Sequence, residues 1–482
     1  MSDNGFEAVI GLEIHVQLGT ATKLFCGDRS QFGSAPNTNV CPVCLGLPGA
    51  LPVTNAAAVE LAVKAALGLH CTVHLTSVFA RKQYFYPDLP KGYQISQYDR
   101  PLATDGWLEL VDAAASRRRI RVRRIHIEED AGKLIHDRLP RRTAIDLNRA
   151  GVPLVEIVTE PDLANPAEAR AVLVRLKRLL QYLQVSDCDM EKGSLRVDAN
   201  ISLRPRGART LGTKTEIKNL NSFSNVERAL TSEAERQADL LARGGAVTQE
   251  TLLWDARAGS ARVMRSKEES HDYRYFPDPD LPPLVLTAQM VDRVRRDLPE
   301  LPEARERRFR TEYEIPGYDA DVLTADRDVA DYFEAVARDC GDPKAASNWV
   351  MTEVLAWANE QGAPVSAFPV PPPRLAQLIE LIADGTLSNR LARQVLTRMM
   401  TTAEPPRAIV EAAGLASVGD PDQLEAWVAE VVDAHPEEAA RFREGEAKLL
   451  SFFMGRIMKA SSGKAEPRQT AELLRSRLLA DH

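Results

Sequence analysis

The sequence predicts an α+β chain in which a domain built on an antiparallel sheet precedes two helical domains. Three observations carry that prediction. The 482 residues correspond to about three domains at roughly 150 residues each. Period-two strand patterns dominate the first 290 residues or so, and after about Asp292 only helical periodicity remains.

The elements follow in order. Residues 8–18 put Ile10, Leu12, Ile14, Val16 and Leu18 on one face and Glu13, His15 and Gln17 on the other, which predicts a half-buried strand with a polar face. Residues 195–204 repeat the pattern, with Leu195, Val197, Ala199, Ile201 and Leu203 inward and Arg196, Asp198, Asn200, Ser202 and Arg204 outward. Residues 213–218 follow a turn region at Pro205, Gly207 and Gly212, so the two segments read as an antiparallel hairpin. Pro166 to Gln184 and Asn225 to Arg243 have helical periodicity. Residues 303–313, 328–340 and 344–360 are helix-like. The stiff AFPVPPP segment (367–373) then precedes an amphipathic helix carrying Leu375, Leu378, Ile379 and Ile382, and TTAEPP (401–406) marks a second boundary. The expected domains are residues 1–293, 294–405 and 406–482.

Composition excludes several classes. Hydrophobic residues at 44% and charged residues at 27% lie in the globular range, against disorder and fibrous repeats. The apolar run Ala56 to Leu69 is broken by Glu60 and Lys64 and is too short to span a bilayer, and the acidic MSDNGFE start differs from a basic leader, so a cytoplasmic protein without a membrane partner is expected. The net charge of −7 hides an uneven distribution. Residues 406–440 carry Arg407 against eight acids, net −7, whereas residues 441–482 carry nine basic and five acidic side chains, net +4. That basic end suits phosphate. Motifs of phosphate loops, dinucleotide folds, zinc proteases and serine hydrolases are all missing.

Candidate chemistry starts on the first strand. Glu13 and His15 project from one face about 7 Å apart, a spacing that one ion or substrate group bridges. Further acids stand in His126-Ile-Glu-Glu-Asp130, and Glu156 sits inside the strand-like apolar run Val152-Pro-Leu-Val-Glu156, where an unpaired charge would cost several kcal/mol. A hard cation such as Mg²⁺ removes that cost; ordinary salt bridges on a polar face are the plainer reading. Cys26, Cys41 and Cys44 form a C-x-x-C turn with a third thiol upstream, suited to structural zinc with Asp28 as fourth donor, or else to small buried cysteines. Arg117, Arg118, Arg119, Arg121, Arg123 and Arg124 read as a charge-protected edge strand ahead of a phosphate-binding strip. Arg81 to Asp88 mixes cations with three aromatics, for base stacking or for packing a turn.

Taken together, residues 10–18, 36–52, 80–98, 126–133, 145–160, 193–204, 213–223 and 271–278 resemble the GatB/GatE family, the B subunits of tRNA-dependent amidotransferases. Residues 447–460 (AKLLSFFMGRIMKA) resemble that family's YqeY-like tail. The resemblance implies a cradle-shaped kinase and transamidation domain, an all-α domain and a small helical tRNA-binding tail. It implies a ligase that uses ATP and Mg²⁺ to phosphorylate the side-chain carboxylate of Asp-tRNA(Asn) and/or Glu-tRNA(Gln). Ammonia would come from an amidase (A) subunit, with a small C subunit completing the heterotrimer. It maps the Mg²⁺ ligands and catalytic group onto Glu13, His15, Glu129 and Glu156, and leaves the ATP-binding residues unassigned. Many relatives carry a fourth thiol where this chain has Asp28, so the zinc expectation is a Cys₃Asp site, a vestige or none. In the tail, Lys448, Arg456, Lys459 and Lys464 suit contact with tRNA phosphates. The rival readings are a non-catalytic tRNA scaffold, which has no use for the four metal ligands, and a metal-dependent hydrolase, which has no use for the tail.

Overall fold

The computed structural model describes residues 5–111, 117–139, 142–266, 273–416, 421–461 and 463–479. Its strands are β1 (Phe6–Gln17), β2 (Thr72–Val73), β3 (Thr76–Ser77), β4 (Phe79–Gln83), β5 (Tyr93–Gln97), β6 (Ala103–Val111), β7 (Arg117–Glu129), β8 (Lys133–Leu139), β9 (Arg142–Asp146), β10 (Pro153–Thr159), β11 (Leu195–Pro205), β12 (Thr215–Lys218), β13 (Glu250–Asp255), β14 (Ser260–Ser266), β15 (Phe276–Pro277) and β16 (Leu284–Val285). The main sheet runs β14-β13-β12-β11-β1-β10-β7-β6-β2 and is antiparallel except for the β12–β13 pair. A smaller sheet, β15-β4-β5, stands beside it.

One face of the main sheet is covered. Helices α1 (Ala56–Gly68), α2 (Pro166–Tyr182) and α3 (Phe223–Ala242) start at Asn55, Asn165 and Ser222, whose side chains accept hydrogen bonds from the first free backbone amides. Their apolar stripes meet the alternate residues of β1 and β11: Ile10, Leu12, Ile14, Val197, Ala199 and Ile201 lie in the same core as Leu173, Leu176 and Leu230. Each large side chain so buried contributes about 2 kcal/mol. The opposite face of β1 keeps Glu13, His15 and Gln17 part-exposed, as the period-two pattern requires.

The hairpin reading holds, with Asn200 of β11 opposite Glu216 of β12. The edge-strand reading of the arginine run does not. β7 lies inside the sheet between β10 and β6, and three of its arginines are matched by acids: Arg117 with Glu109, Arg118 with Glu168, Arg121 with Asp162. Arg119 lies over the Trp107 ring at 4.0 Å.

The chain forms two compact units, Met1–Leu301 and Pro302–His482. The expected boundary at 293 falls inside helix α4 (Ala288–Arg296), whose Val291 and Val294 belong to the first core. The second unit is helical in its described residues and has two cores. One spans Phe309 to Val410 and includes Leu375, Leu378 and Ile379; the other spans Leu424 to Leu478. Ile409 and Val410 of the helix Pro406–Ala413 join the former. No helix is long and apolar enough to cross a membrane among the described residues.

Candidate functional site

Strand register assembles the first cluster. His15 lies opposite Glu156 on β10 and Arg196 on β11, and Glu156 lies opposite His126 on β7. Directly opposed residues of antiparallel strands share a face, so four chemically active side chains meet. His15 Nε2 is 3.5 Å from Glu128 Oε1 and 3.5 Å from Glu156 Oε2. His126 Nε2 is 3.1 Å from Glu156 Oε2 and 3.5 Å from Glu128 Oε2. The Ser96 hydroxyl donates to Glu128 Oε2 at 3.1 Å. Donor atoms of His15, Glu128 and Glu156 all lie within 4.8 Å of one another, as one metal ion requires.

The electrostatics favour a cation there. Burial alone would push Glu156 and Glu128 up, but the two imidazoles outweigh it and hold both carboxyls below their usual range. Burial opposes charge on His126 too, and the Glu156 and Glu128 carboxylates overcome it, raising the imidazole to about 9. His126 Nδ1 is buried without a hydrogen-bond partner. Without metal, protonated imidazole supplies the positive charge the acids demand; an oxygen-rich set with one imidazole also fits a hard divalent ion with sites left for water or phosphate.

Of the four residues the resemblance points to, His15 and Glu156 are in this cluster. Glu13 is its neighbour on the same face of β1, accepting a hydrogen bond from Asn200 Nδ2 at 3.0 Å; burial, then the nearby Glu156, raises its pKa. Glu129 lies elsewhere. Adjacent strand residues point to opposite faces, so Glu129 turns away from Glu128, pairs with the Lys91 ammonium and accepts the Ile95 amide hydrogen. Glu128 takes the place expected for Glu129. Alternation shows why: Ile125, Ile127 and Glu129 share one side, and His126, Glu128 and Asp130 the other.

The flanking cations on the sheet are already matched. Arg196 reaches Asp130 at 2.8 Å, and Lys218 meets Asp198 at 2.5 Å and Glu216 at 2.8 Å. Lys214 is exposed and lines, with Glu13, Arg123, Val158, Asn200 and Leu211, a cavity of about 240 Å³ beside the cluster. Arg81 pairs with Asp278 and Asp280 at 2.8 Å and lies over Tyr93, so part of the aromatic tract packs a turn. His271 and Asp272 lie outside the described residues.

A second donor group comprises Cys26, Asp28, Cys41 and Cys44, again within 4.8 Å of one another. The Cys44 thiol lies 3.3 Å from Asp28 Oδ2 and accepts from the Cys41 amide at 3.1 Å. The Cys26 hydrogen bond is the main influence that brings Cys44 down to about 6, against burial and with help from the Lys23 charge. Lys23 is fully buried, its ammonium 2.6 Å from the Asn39 carbonyl and 3.6 Å from Cys44 Sγ. Cys26, Cys44 and Glu129 line one cavity of about 350 Å³, on the side of β7 away from His15. In the tail, Lys448, Arg456 and Lys459 are exposed along the helix Leu449–Ala460, and Lys464 is half-buried beyond its end.

Residues 8–292 match the GatB/GatE catalytic domain, and residues 331–478 match the GatB domain. The chain belongs to the GatB/GatE family. Three relatives, each named as the B subunit of an aspartyl/glutamyl-tRNA(Asn/Gln) amidotransferase, are similar over almost their whole length. The Chlorobium phaeobacteroides (strain BS1) protein is 53% identical over 98% of this chain and 99% of its own. The Persephonella marina protein is 50% identical over 98% and 99%, and the Moorella thermoacetica protein 52% identical over 98% and 100%. Within this GatB/GatE chain, Lys91 and Lys23 escaped the sequence reading, whereas His126 and Glu128 stood in its acid tract without being assigned to the site, although the alternation along β7 was a local signal for them.

Proposed function

We propose that this chain is the ATP-using transamidation component of a multi-subunit, tRNA-dependent amidotransferase. The reading rests on one observation: full-length similarity to amidotransferase B subunits coincides with a His15–Glu128–Glu156 donor set on the open face of the main sheet. A carboxylate resists attack by ammonia because its leaving group would be oxide. In the proposed reaction a side-chain carboxylate oxygen of Asp-tRNA(Asn) and/or Glu-tRNA(Gln) attacks the γ-phosphorus of ATP and ADP leaves; ammonia then attacks the acyl carbon, phosphate leaves and a proton is released. Mg²⁺, when bound, neutralises the clustered phosphate oxygens. His15, Glu128 and Glu156 would hold it, with Glu13 beside them, and His126 would position Glu156. The cavity beside Glu13 suits part of the nucleotide.

The partners in this reading are an amidase (A) subunit that supplies ammonia, a small C subunit and the misacylated tRNA, all in the cytoplasm. The unit ending at Leu301 would carry the chemistry, the core from Phe309 to Val410 would form the helical domain, and the core from Leu424 to Leu478 would make the tRNA contacts through Lys448, Arg456, Lys459 and Lys464. The three thiols and Asp28 would hold structural zinc. A pure scaffold accounts less well for two carboxylates and two imidazoles gathered at one point. The deciding measurement is ATP hydrolysis by the complete complex with aminoacylated against uncharged tRNA. Stimulation by the aminoacylated form alone is expected; equal rates with both would defeat the proposal. The chain by itself is expected to show no glutaminase activity.

A further inference from the structure

One cation facing the acid–histidine cluster has no acid upon it. Lys218, Arg196 and Lys91 are each in contact with a carboxylate. Lys82 is not: among the described residues its ammonium contacts only aromatic faces, 4.6 Å from the Tyr273 centroid and 6.0 Å from that of Tyr84. The small sheet aims it. Lys82 of β4 lies opposite Gln94, and Ala80 opposite Ser96. Gln94 donates to the Glu129 carbonyl at 2.7 Å and Ser96 to the Glu128 carboxylate, so this side of β4 and β5 faces the end of β7. Burial works against the charge, but Glu128, Tyr275, Tyr273 and Glu156 outweigh it and raise the pKa, so the group is an ammonium at neutral pH.

A π face attracts a cation without consuming its N–H donors. The tyrosines therefore hold a half-buried positive charge beside the cluster with donors to spare, the condition for gripping an incoming anion. Two anions must meet there, the phosphates and the substrate carboxylate, against the charge of Glu128 and Glu156.

We propose that Lys82 is the oxyanion-binding residue of this site, its ammonium taking oxygens of the transferring phosphoryl group or of the substrate side-chain carboxylate. This rests on the amidotransferase reading above. Lys82 transfers no proton: the new P–O bond forms on the substrate carboxylate as the bond to ADP breaks, and the lysine supplies charge alone.

The test uses the assembled complex carrying Lys82→Met or Lys82→Arg. Measured are charged-tRNA-dependent ATP hydrolysis with separate KM values for ATP and tRNA, affinity for a non-hydrolysable ATP analogue with Mg²⁺, the melting temperature and the partner's glutaminase rate. Lys82→Met is expected to lower hydrolysis by about 100-fold, with Lys82→Arg recovering at least tenfold and with melting and glutaminase rate unchanged. Weaker analogue binding assigns the phosphoryl group; a raised KM for charged tRNA with normal analogue binding assigns the carboxylate. Hydrolysis and both KM values within about threefold of wild type would overturn the proposal. A wild-type complex with no charged-tRNA-dependent hydrolysis would instead refute the amidotransferase reading, and there an unchanged analogue affinity in Lys82→Met overturns this one.

Discussion

The acid–histidine cluster of the first unit holds its charges inside, and the tail of the second unit carries its cations outside. His126, Glu128, Glu129 and Asp130 are each about 2–3% exposed, and every one is matched by a neighbour. In the tail, Lys448, Arg456 and Lys459 stand exposed to water. Buried charges interact strongly because little water screens them, so one substitution there is felt steeply; exposed charges act weakly, additively and under the control of salt. On the proposed reading the same chemical groups would serve chemistry in one unit and recognition in the other.

The sharpest break of this contrast compares neighbouring acids. Glu128→Gln removes a cluster donor and is expected to lower Mg²⁺ affinity and charged-tRNA-dependent ATP hydrolysis by at least about 100-fold. Glu129→Gln leaves the buried Lys91 ammonium without its counter-charge, which costs about 3 kcal/mol of stability, while Mg²⁺ affinity stays within about threefold. Calorimetric metal titration and thermal melting of both variants decide it. A reversed pattern would mean that Glu129, not Glu128, carries the metal.

The second break concerns the thiols. Zinc content near one per chain is expected, falling at least tenfold in Cys44→Ser, whereas Asp28→Cys is expected to tighten zinc by tenfold or more because thiolate is the softer donor. Equal zinc in wild type and Cys44→Ser would leave Cys26, Cys41 and Cys44 as packing residues. Neither change should alter Mg²⁺ affinity, since the thiols and His15 lie on opposite sides of β7.

These two sites were legible to different degrees. The thiols are close in sequence, and a C-x-x-C turn brings its sulfurs together by local geometry alone. The acid cluster depends on which strands neighbour β1. Period two assigned the faces of β1 and β11 correctly, because a half-buried strand must alternate. It could not show β10 beside β1 or the register shift near Val158 on the β10–β7 pair, which follow from long-range pairing. Along β7 the alternation that separates Glu128 from Glu129 was present in Ile125, His126 and Ile127, and the family resemblance displaced it. Lys82 comes to the acid cluster from a second sheet, so the cation–aromatic tract Arg81 to Asp88 marks it without showing which site it faces, and Lys91 reaches Glu129 from a loop that no local pattern announces. The arginine run misled because edge strands and inner strands with acidic neighbours carry the same sequence signature.

The smallest effect belongs to the second unit and tests its side of the contrast. Lys448 at the N-cap, Arg456 and Lys459 fall within an arc of about 80° around the helix Leu449–Ala460, since at 3.6 residues per turn positions eight and eleven residues on are turned by about 80° and about 20°. If they contact tRNA phosphates, each releases about one condensed counterion. Replacing all three with Ala is expected to weaken tRNA binding and to reduce the slope of log K against log salt by about 2–3, with single changes contributing roughly a third each. Mg²⁺ affinity should be unchanged, because no cluster donor is touched. A deletion tests the same point if cut after residue 416 rather than near Glu404. The earlier cut would strip Ile409 and Val410 from the core that holds Leu375 and Leu396, confusing lost contacts with lost folding. A tail deletion that keeps both full affinity and the wild-type salt slope would make this surface an assembly or packing element. The exposed charges would then have no recognition role to set against the buried ones.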